Sequence, residues 1–443
     1  MYLLTSGTGI SLQNRPKLGL QYLSAVLGEM GIKTGIFDQT VVPFGLKTLV
    51  ESLKEYDMVG FYCSDPQEQK VKAYCKKIKE ALEIRVVVGG PNTLSNPSFL
   101  NYGCDIVVHG EGEKTIKEIV RHYNGEIGLE NIRGISYKKK GVLYTNAMQE
   151  LIDDLDSLPF PDRSNPDINS YQDRFIFSMR KPYITMIASR GCIYRCYFCT
   201  SCNLWGHRYR RRSVANVLSE IEEVAGRYHV KYIAFQDDIF GLTNEWTEEF
   251  CNRLIEKNLG LRWMAILHPL SIPNEQEKIL RLMKMAGCDT LSFGLQSADP
   301  QILQGISRIS VEPARLKQLL AAANRSGFLT VVNFIFGLPN DTRESIQRSI
   351  EYSLTCGSAL VNYYTLSVLE GSELKRLYPD KKICGLTQEE IKKIAIKASR
   401  KFYTHPKKMA RILYFMAKNP QWLLNVAFRL PVILARLGLC AQS

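Results

Sequence analysis

Apolar positions along this chain follow two alternating rhythms. Continuous apolar runs of about four to seven residues predict buried strands, and stretches with apolar side chains every three or four positions predict amphipathic helices. Before residue 110, strands are predicted at Met1–Ser6, Thr34–Asp38, Met58–Ser64, Arg85–Val88 and Ile106–Val108. Helices are predicted at Leu18–Met30, Leu46–Glu55 and Glu68–Leu82. Strands that alternate with helices imply a doubly wound, Rossmann-like parallel sheet, with ligands at the carboxyl ends of its strands. Several of those ends are polar or glycine-rich: Ser64, Gly89-Gly90-Pro91 and Gly110-Glu111-Gly112-Glu113. Glycine there lets the backbone approach a large ligand closely.

Two short runs, Asn131–Tyr137 and Val142–Thr145, flank Lys138-Lys139-Lys140-Gly141 and predict a β-hairpin. Leu158-Pro159-Phe160-Pro161 and Asn165-Pro166 follow, a proline pattern that predicts a stiff linker. The rhythm resumes with strands predicted at Ile184–Ser189, Tyr232–Phe235, Arg262–Leu267, Thr290–Phe293, Thr330–Phe336 and Val361–Leu366. Helices are predicted between them at Val214–Tyr228, Thr247–Lys257, Glu275–Ala286, Ala314–Ser326 and Arg343–Thr355. Six such units are too few for a closed eight-fold barrel and predict an open, partial (β/α)6 barrel. The expected fold class is therefore α/β, with a helical tail. Its divisions are 1–145 for the first sheet, 146–182 for the linker, 183–375 for the partial barrel and 376–443 for the tail.

Composition refines this picture at two points. Hydrophobic content of 45% and charged content of 23% are those of a globular protein. Twelve cysteines with no secretory pattern at the start predict a reducing, cytoplasmic setting, in which the scattered thiols act as packing residues. The net charge of +13 is concentrated at one end. From Ile391 onward there are eleven Lys or Arg and no Asp or Glu, which leaves 46 basic against 44 acidic residues in the first 390. Apolar pieces at Met409–Lys418, Gln421–Phe428 and Val432–Gly438 are broken by Pro420 and Pro431, and none reaches the ~18 residues needed to span a bilayer. Arg411 and Lys418 are seven apart, as are Arg429 and Arg436, so each pair shares a helix face. Such a tail fits an interfacial helix at the inner face of an anionic membrane, a lid over a hydrophobic small-molecule substrate, or a helical domain packed on the barrel. The basic run His207-Arg208-Tyr209-Arg210-Arg211-Arg212 is read as a surface for anionic groups or a solvated loop, with nucleic acid the minor reading.

The chemistry is concentrated in Gly191-Cys192-Ile193-Tyr194-Arg195-Cys196-Tyr197-Phe198-Cys199. Three thiolates at C-x3-C-x2-C spacing can hold three irons of a 4Fe-4S cube and leave the fourth iron open to another ligand. A fully protein-ligated cluster needs four cysteines, and a structural zinc also wants four ligands. Cys202 extends the series to C-x2-C-x2-C, and Cys202 or His207 could complete a zinc knuckle, so those readings stay open on the residues alone.

This loop resembles the signature of the radical SAM superfamily. The resemblance implies that Cys192, Cys196 and Cys199 bind the cluster, that the open iron takes S-adenosylmethionine (SAM), and that Phe198 lies against the adenine. It further implies SAM contacts from Gln236, Asp237 and Asp238 after the second barrel strand, Gln296 and Ser297 after the fourth, Arg308, and Asn333 on the fifth. Relatives usually have Glu where this chain has Gln296, which keeps an acceptor but loses the charge. The first domain resembles the cobalamin-binding domain joined to many of these enzymes, through Gly19 in Pro16-Lys17-Leu18-Gly19-Leu20, Ser64, Gly89, Gly90, Pro91, Gly110 and Glu111. The Asp-x-His-x-x-Gly signature is missing, which implies cobalamin without a histidine under the cobalt. The resemblance implies methyl transfer to an unactivated carbon, with an external electron donor and no side chain needed as a general base. It also admits ring closure of the anaerobic magnesium-protoporphyrin cyclase type. A tRNA methylthiotransferase and a non-catalytic iron–sulfur or cobalamin sensor are the rival classes.

Overall fold

The computed structural model describes residues 16–39, 41, 44–64, 67–164, 168–171, 180–272, 276–307, 309, 311–369, 371–378 and 383–418, with the backbone alone for 2–5, 202, 276, 416 and 418. It divides into two compact units. The first comprises Met1–Asp173, Cys199–Arg211 and Leu369–Arg376. The second comprises Arg174–Phe198, Arg212–Val368 and Leu377–Ser443.

In the first unit, five strands run parallel: Tyr2–Thr5, Gly35–Asp38, Met58–Tyr62, Arg85–Gly89 and Ile106–Val108. The antiparallel pair Ile135–Lys139 and Val142–Thr145 extends the sheet past Ile106–Val108. Tyr2–Thr5 lies between Gly35–Asp38 and Met58–Tyr62, so the strand order reverses there and opens a crevice at the carboxyl ends. Val86 and Val88 join a core with Leu49, Leu53, Val71 and Ile78, whereas Val87 joins Val26, Leu27, Ile116 and Ile119. Both faces of the sheet are covered, which is why its strands read as continuous apolar runs. The hairpin edge ends in the Lys138–Lys140 turn, whose charges discourage pairing with another chain.

The proline-rich stretch departs from the expected linker. Asp162 donates its amide to the Gln21 carbonyl (3.0 Å) and accepts from Ser24 Oγ (2.7 Å), both on the helix Leu18–Glu29. Tyr171 donates to Asp38 (3.1 Å), and Ile152, Leu155 and Ile168 are buried. Apolar side chains on either side of the prolines fasten the segment to the first unit.

The second unit holds six parallel strands in sequence order: Tyr183–Met186, Tyr232–Phe235, Arg262–Leu267, Cys288–Gln296, Leu329–Phe336 and Leu360–Thr365. The helices Val214–Tyr228, Asn244–Lys257, Gln276–Met285, Pro313–Arg325 and Arg343–Thr355 connect them. Among the described residues the first and last strands do not pair, so the barrel is open. Phe235, Phe240, Phe250 and Trp263 pack edge-to-face or tilted at 4.7–5.9 Å between ring centres and fill one side of it.

Among the described residues several helices go beyond the predicted elements: Gly112–Tyr123 in the first unit, the short Ser201–Leu204 and Glu373–Leu377, and two in the second unit. Pro300–Ile306 is capped by Asp299, which accepts from the amides of Gln301 and Ile302. Gln388–Tyr403 begins at a Thr387–Glu390 capping box and buries Ile391, Ala395, Ala398 and Phe402. Its Tyr403 hydroxyl donates to the Val361 carbonyl (2.7 Å) and accepts from the Val361 amide (3.3 Å), capping the edge strand. In the last described helix, Pro406–Lys418, Arg411 turns inward to the Gly357 carbonyl (2.8 Å) and Lys408 to that of Ser358 (3.0 Å). Arg411 is therefore not available to the basic face expected of it. The remaining tail pieces lie outside the described residues. Among the described residues no helix is long and apolar enough to cross a membrane.

Candidate functional site

The cysteine loop is fixed at several points of the second unit. It follows the first strand through Ser189-Arg190-Gly191, and Gly191 turns at φ +96°. Asp237, buried at the end of the second strand, accepts from the Ala188 amide (3.1 and 3.2 Å to its two oxygens) and from Ser189 Oγ (2.5 Å). Burial pushes its carboxyl up to about 7 despite those bonds. Asp238 accepts from the Gly191 amide (3.1 Å). Farther along, Cys196 forms a single antiparallel bridge with Ser307, and the Tyr197 amide donates to the Ile306 carbonyl (2.9 Å). The Cys196 thiol, raised by burial, reaches Ser307 Oγ at 3.7 Å.

Between the first two cysteines, Tyr194 stacks on His268 with ring centres 3.6 Å apart and planes at 21°. His268 follows the third strand, and its Nδ1 accepts from the Leu270 amide (3.2 Å). Burial lowers its pKa to about 4, so the ring is neutral. Sequence reasoning passed over His268; a histidine directly after a barrel strand was the available signal.

Cys192, Cys196 and Cys199 are all partly exposed. Cys199 Sγ accepts from the Ser201 amide (3.4 Å). Among the described residues no three His, Cys, Asp or Glu side chains converge tightly enough for one metal ion. A cube takes one thiolate at each of three separate irons, so its ligands need not meet at a point. Three half-buried thiols on one anchored loop fit a cluster. The side chain of Cys202 lies outside the described residues.

The other residues expected near SAM divide into two kinds. Gln236 follows directly on the second strand, its amide bonded to the Met186 carbonyl (2.8 Å). Gln296 ends the fourth strand in the left-handed region (φ +71°) at an irregularity in the pairing, and Phe198 is half-buried. Asn333 sits in a chain of polar groups across three strands: Asn362 Nδ2 donates to Asn333 Oδ1 (2.9 Å), and Asn333 Nδ2 donates to Ser292 Oγ (3.0 Å). Ser292 and Asn362 were not singled out from the sequence. Ser297 is buried and accepts from the Asp299 amide (3.1 Å), a local structural use. Asp237 and Asp238 are committed to the loop backbone. Arg308 lies outside the described residues.

In the first unit the crevice strand ends at Tyr62-Cys63-Ser64. Gly90 adopts φ +114°, and a Cβ there would lie 2.6 Å from the Cys63 carbonyl oxygen. Gly89 and Pro91 flank it, and Ser64 Oγ donates to Gln67 Oε1 (2.9 Å). Gly19 is exposed in the first turn of its helix, with nothing among the described residues within 4 Å of where a Cβ would stand. Gly110 turns at φ +80° after the fifth strand. His109 is buried, with Nδ1 bonded to the Thr93 carbonyl (2.5 Å) and Nε2 to Ser136 Oγ (2.7 Å), so both nitrogens serve the fold.

Glu111 is paired within the same unit. Arg210 Nη1 donates to Glu111 Oε1 (3.1 Å), to Oε2 (2.9 Å) and to the Ile152 carbonyl (2.6 Å). The side chains are only 4% and 2% exposed. In the second unit Arg212 is buried against Glu220. Thus two arginines of the 207–212 run are spent on internal ion pairs, which corrects the reading of that run as a basic surface. Among the described residues, Arg210 Nε and Nη2 are buried without partners. Orphaned donors beside glycine-lined strand ends fit a ligand rich in acceptors, as the amide-fringed rim of a corrinoid is.

Residues 11–120 match a family model described as a B12 binding domain, and residues 186–353 match one described as the Radical SAM superfamily. An uncharacterized methyltransferase of Pyrococcus horikoshii is 28% identical over 424 residues, which cover 90% of each chain. The cytidylyl-2-hydroxyethylphosphonate methyltransferase of Streptomyces wedmorensis is 24% identical over 81% of this chain and 77% of its own. Among solved structures, the cobalamin-dependent S-adenosylmethionine radical enzyme OxsB superposes with a TM-score of 0.75 at 17% identity, over 94% of this chain and 70% of its own.

Proposed function

We propose that this chain, a radical SAM enzyme that joins a B12-binding domain to a radical SAM domain, is a methyltransferase acting on an unactivated carbon of a small hydrophobic molecule. The observation that carries this reading is the loop Cys192–Cys199, anchored by Asp237, Asp238 and the Cys196–Ser307 bridge, in a chain that also bears a glycine-lined B12 sheet. Likeness along 90% of both chains to a protein named as a methyltransferase supports the reaction type.

When bound, a reduced 4Fe-4S cluster, SAM and cobalamin supply the electron, the radical precursor and the methyl carrier. The chain's own residues hold and shield them. Cys192, Cys196 and Cys199 would ligate the cluster. Phe198, Gln236, Gln296 and Asn333 are the proposed SAM contacts, with Arg308 as partner of its carboxylate. Ser64, Gly89, Gly90, Pro91, Gly110 and Gly19 would line the corrinoid. No side chain is assigned as a base, because hydrogen abstraction by a radical requires none. The reducing electron comes from an external donor.

The hydrophobic character of the substrate is supported by the last described helix, which exposes Met409, Leu413 and Tyr414. The same face would serve peripheral contact with a membrane from the cytoplasmic side. Lys408 and Arg411 point inward, so attraction to anionic lipid would have to come from elsewhere in the tail.

Anaerobic reconstitution tests the proposal. With a strong reductant, the protein is expected to release 5′-deoxyadenosine from SAM and, with cobalamin and an apolar substrate, to form a product heavier by one methyl group. A protein that takes up iron yet leaves SAM intact would be a sensor. A product of unchanged carbon count would refute methyl transfer.

A further inference from the structure

The most unusual polar group outside the cysteine loop is the Arg210 guanidinium. Three acceptors converge on Nη1, which carries only two hydrogens: both Glu111 oxygens and the Ile152 carbonyl. Meanwhile Nε and Nη2, with three hydrogens between them, are buried without a partner among the described residues. A buried donor left unsatisfied is costly, and most native ones are paired. The Trp205 ring lies 5.6 Å from Cζ. In the same segment, Ser201 Oγ is also buried without a partner among the described residues.

Arg210 belongs to Cys199–Arg211, which packs with the B12-binding unit. The segment is tied there a second time by the Arg208–Asp153 ion pair (2.8 Å). Glu111 directly follows Gly110 at the end of the fifth strand. That strand lies two places from Met58–Tyr62, which borders the crevice. Strands are ~4.8 Å apart, so a flat ligand about 10 Å across, seated at the crevice, reaches that end. A corrinoid has this breadth, and its rim carries amide carbonyls.

We propose that Arg210 completes the corrinoid site by giving its Nε and Nη2 donors to rim acceptors, and thereby fixes the segment that carries the third cluster cysteine, Cys199. Corrinoid binding and cluster retention are then coupled. The coupling is reciprocal, since each occupant favours the same placement of Cys199–Arg211. This inference rests on the B12-binding reading and adds to it a residue outside the part matched as the B12 domain.

The test is anaerobic titration with hydroxocobalamin, followed by absorbance, for the wild type, E111Q, R210K and the double variant R210M/E111Q. The double variant removes both members of the pair and leaves no lone buried charge. R210K keeps the charge but lacks the planar fork. Thermal melting checks that each protein is folded. E111Q is expected to bind within about twofold of the wild type, because a neutral amide still accepts from Nη1. R210K and the double variant are expected to bind roughly tenfold more weakly or worse. In a second readout, iron retained after a chelator challenge should rise with cobalamin in the wild type and not in the double variant. If folded R210K and R210M/E111Q bind cobalamin as the wild type does, the inference falls and the B12 reading stands. If the wild type itself binds no cobalamin, the B12 reading falls and takes this inference with it.

Discussion

At the strand ends of the B12-binding unit the shape is set by backbone, whereas at those of the radical SAM unit it is set by side chains. Gly90 adopts a conformation almost confined to glycine, and the Cys63 carbonyl occupies the space a side chain would take. In the second unit, Asp237 and Asp238 take hydrogen bonds from Ala188, Ser189 and Gly191, and an Asn–Asn–Ser chain links three strands. The difference follows from what each site must hold. A broad flat ligand needs a bare surface and close approach. A loop whose three thiols are proposed to ligate a cluster must be held in one conformation before the metal arrives, and carboxylates that accept backbone amides do that.

The three cysteines should respond most strongly to substitution. Changing Cys192, Cys196 or Cys199 to alanine should abolish both cluster assembly and SAM cleavage, measured as iron per chain and 5′-deoxyadenosine formed. Iron content and cleavage equal to the wild type in any of the three would remove the radical SAM assignment for that thiol.

Next come the anchors. Asp237→Ala leaves the Ala188 amide and Ser189 hydroxyl without their buried acceptor and should cost about 2–4 kcal/mol in denaturant unfolding of the iron-free protein. In the B12 unit the opposite change should hurt. Gly90→Ala forces a methyl group against the Cys63 carbonyl and should cost at least ~1–3 kcal/mol, with loss of cobalamin binding. Ser64→Ala, which leaves the backbone as it is, should weaken cobalamin binding far less. If Ser64→Ala proved worse than Gly90→Ala, the backbone-built description of that site would be wrong.

The buried acids of the second unit also give it a pH dependence. Burial raises Asp237 to about 7 and Asp289 to about 6, from an ordinary value of 3.8. The folded chain thus holds protons that the unfolded chain has released. The stability this confers is complete below about pH 4, declines as pH rises, and is gone above the folded-state values of about 6 and 7. Iron-free protein should therefore unfold more easily at pH 7.5 than at pH 5, and Asp289→Asn should flatten the part of that slope that lies below about pH 6. A slope unchanged in Asp289→Asn would show that this carboxyl does not hold its proton.

Local pattern made most of the fold legible. Tyr232–Phe235, Arg262–Leu267, Val214–Tyr228 and Arg343–Thr355 have the predicted bounds, because buried strands and amphipathic helices mark themselves by periodicity. Pro300–Ile306 was overlooked although Asp299-Pro300 is an N-terminal signal, since a short helix carries too few apolar positions to show a period. Gln388–Tyr403 went unread beside the more apolar pieces that follow it. At the candidate site, the cysteine loop could be read as one unit because its spacing is local. The partner of Arg210 is 99 residues away in sequence, and nothing in a basic run tells a solvated arginine from one buried against Glu111. For the same reason Asp237 could be placed at a strand end but not on Ala188 and Ser189. His268 against Tyr194 is also a tertiary fact, created by the neighbouring placement of a loop and a strand end.

The smallest effect concerns the opposite need, closing a sheet where nothing binds. Among the described residues the last barrel strand, Leu360–Thr365, has a strand neighbour on one side only, and an uncovered edge invites association with other chains. The Tyr403 hydroxyl serves both polar groups of Val361 at once, donating to its carbonyl and accepting from its amide. Tyr403→Phe keeps the ring against Phe402 and removes only the oxygen. The loss should be about 1 kcal/mol, near the net worth of an ordinary hydrogen bond, because the freed edge groups can recruit water. Hydrogen exchange is the sharper measurement: the Val361 amide should lose protection in the variant, while amides of Phe334 and Phe293 on inner strands keep theirs. Equal loss across all three strands would mean that the tyrosine supports the whole barrel and not its edge.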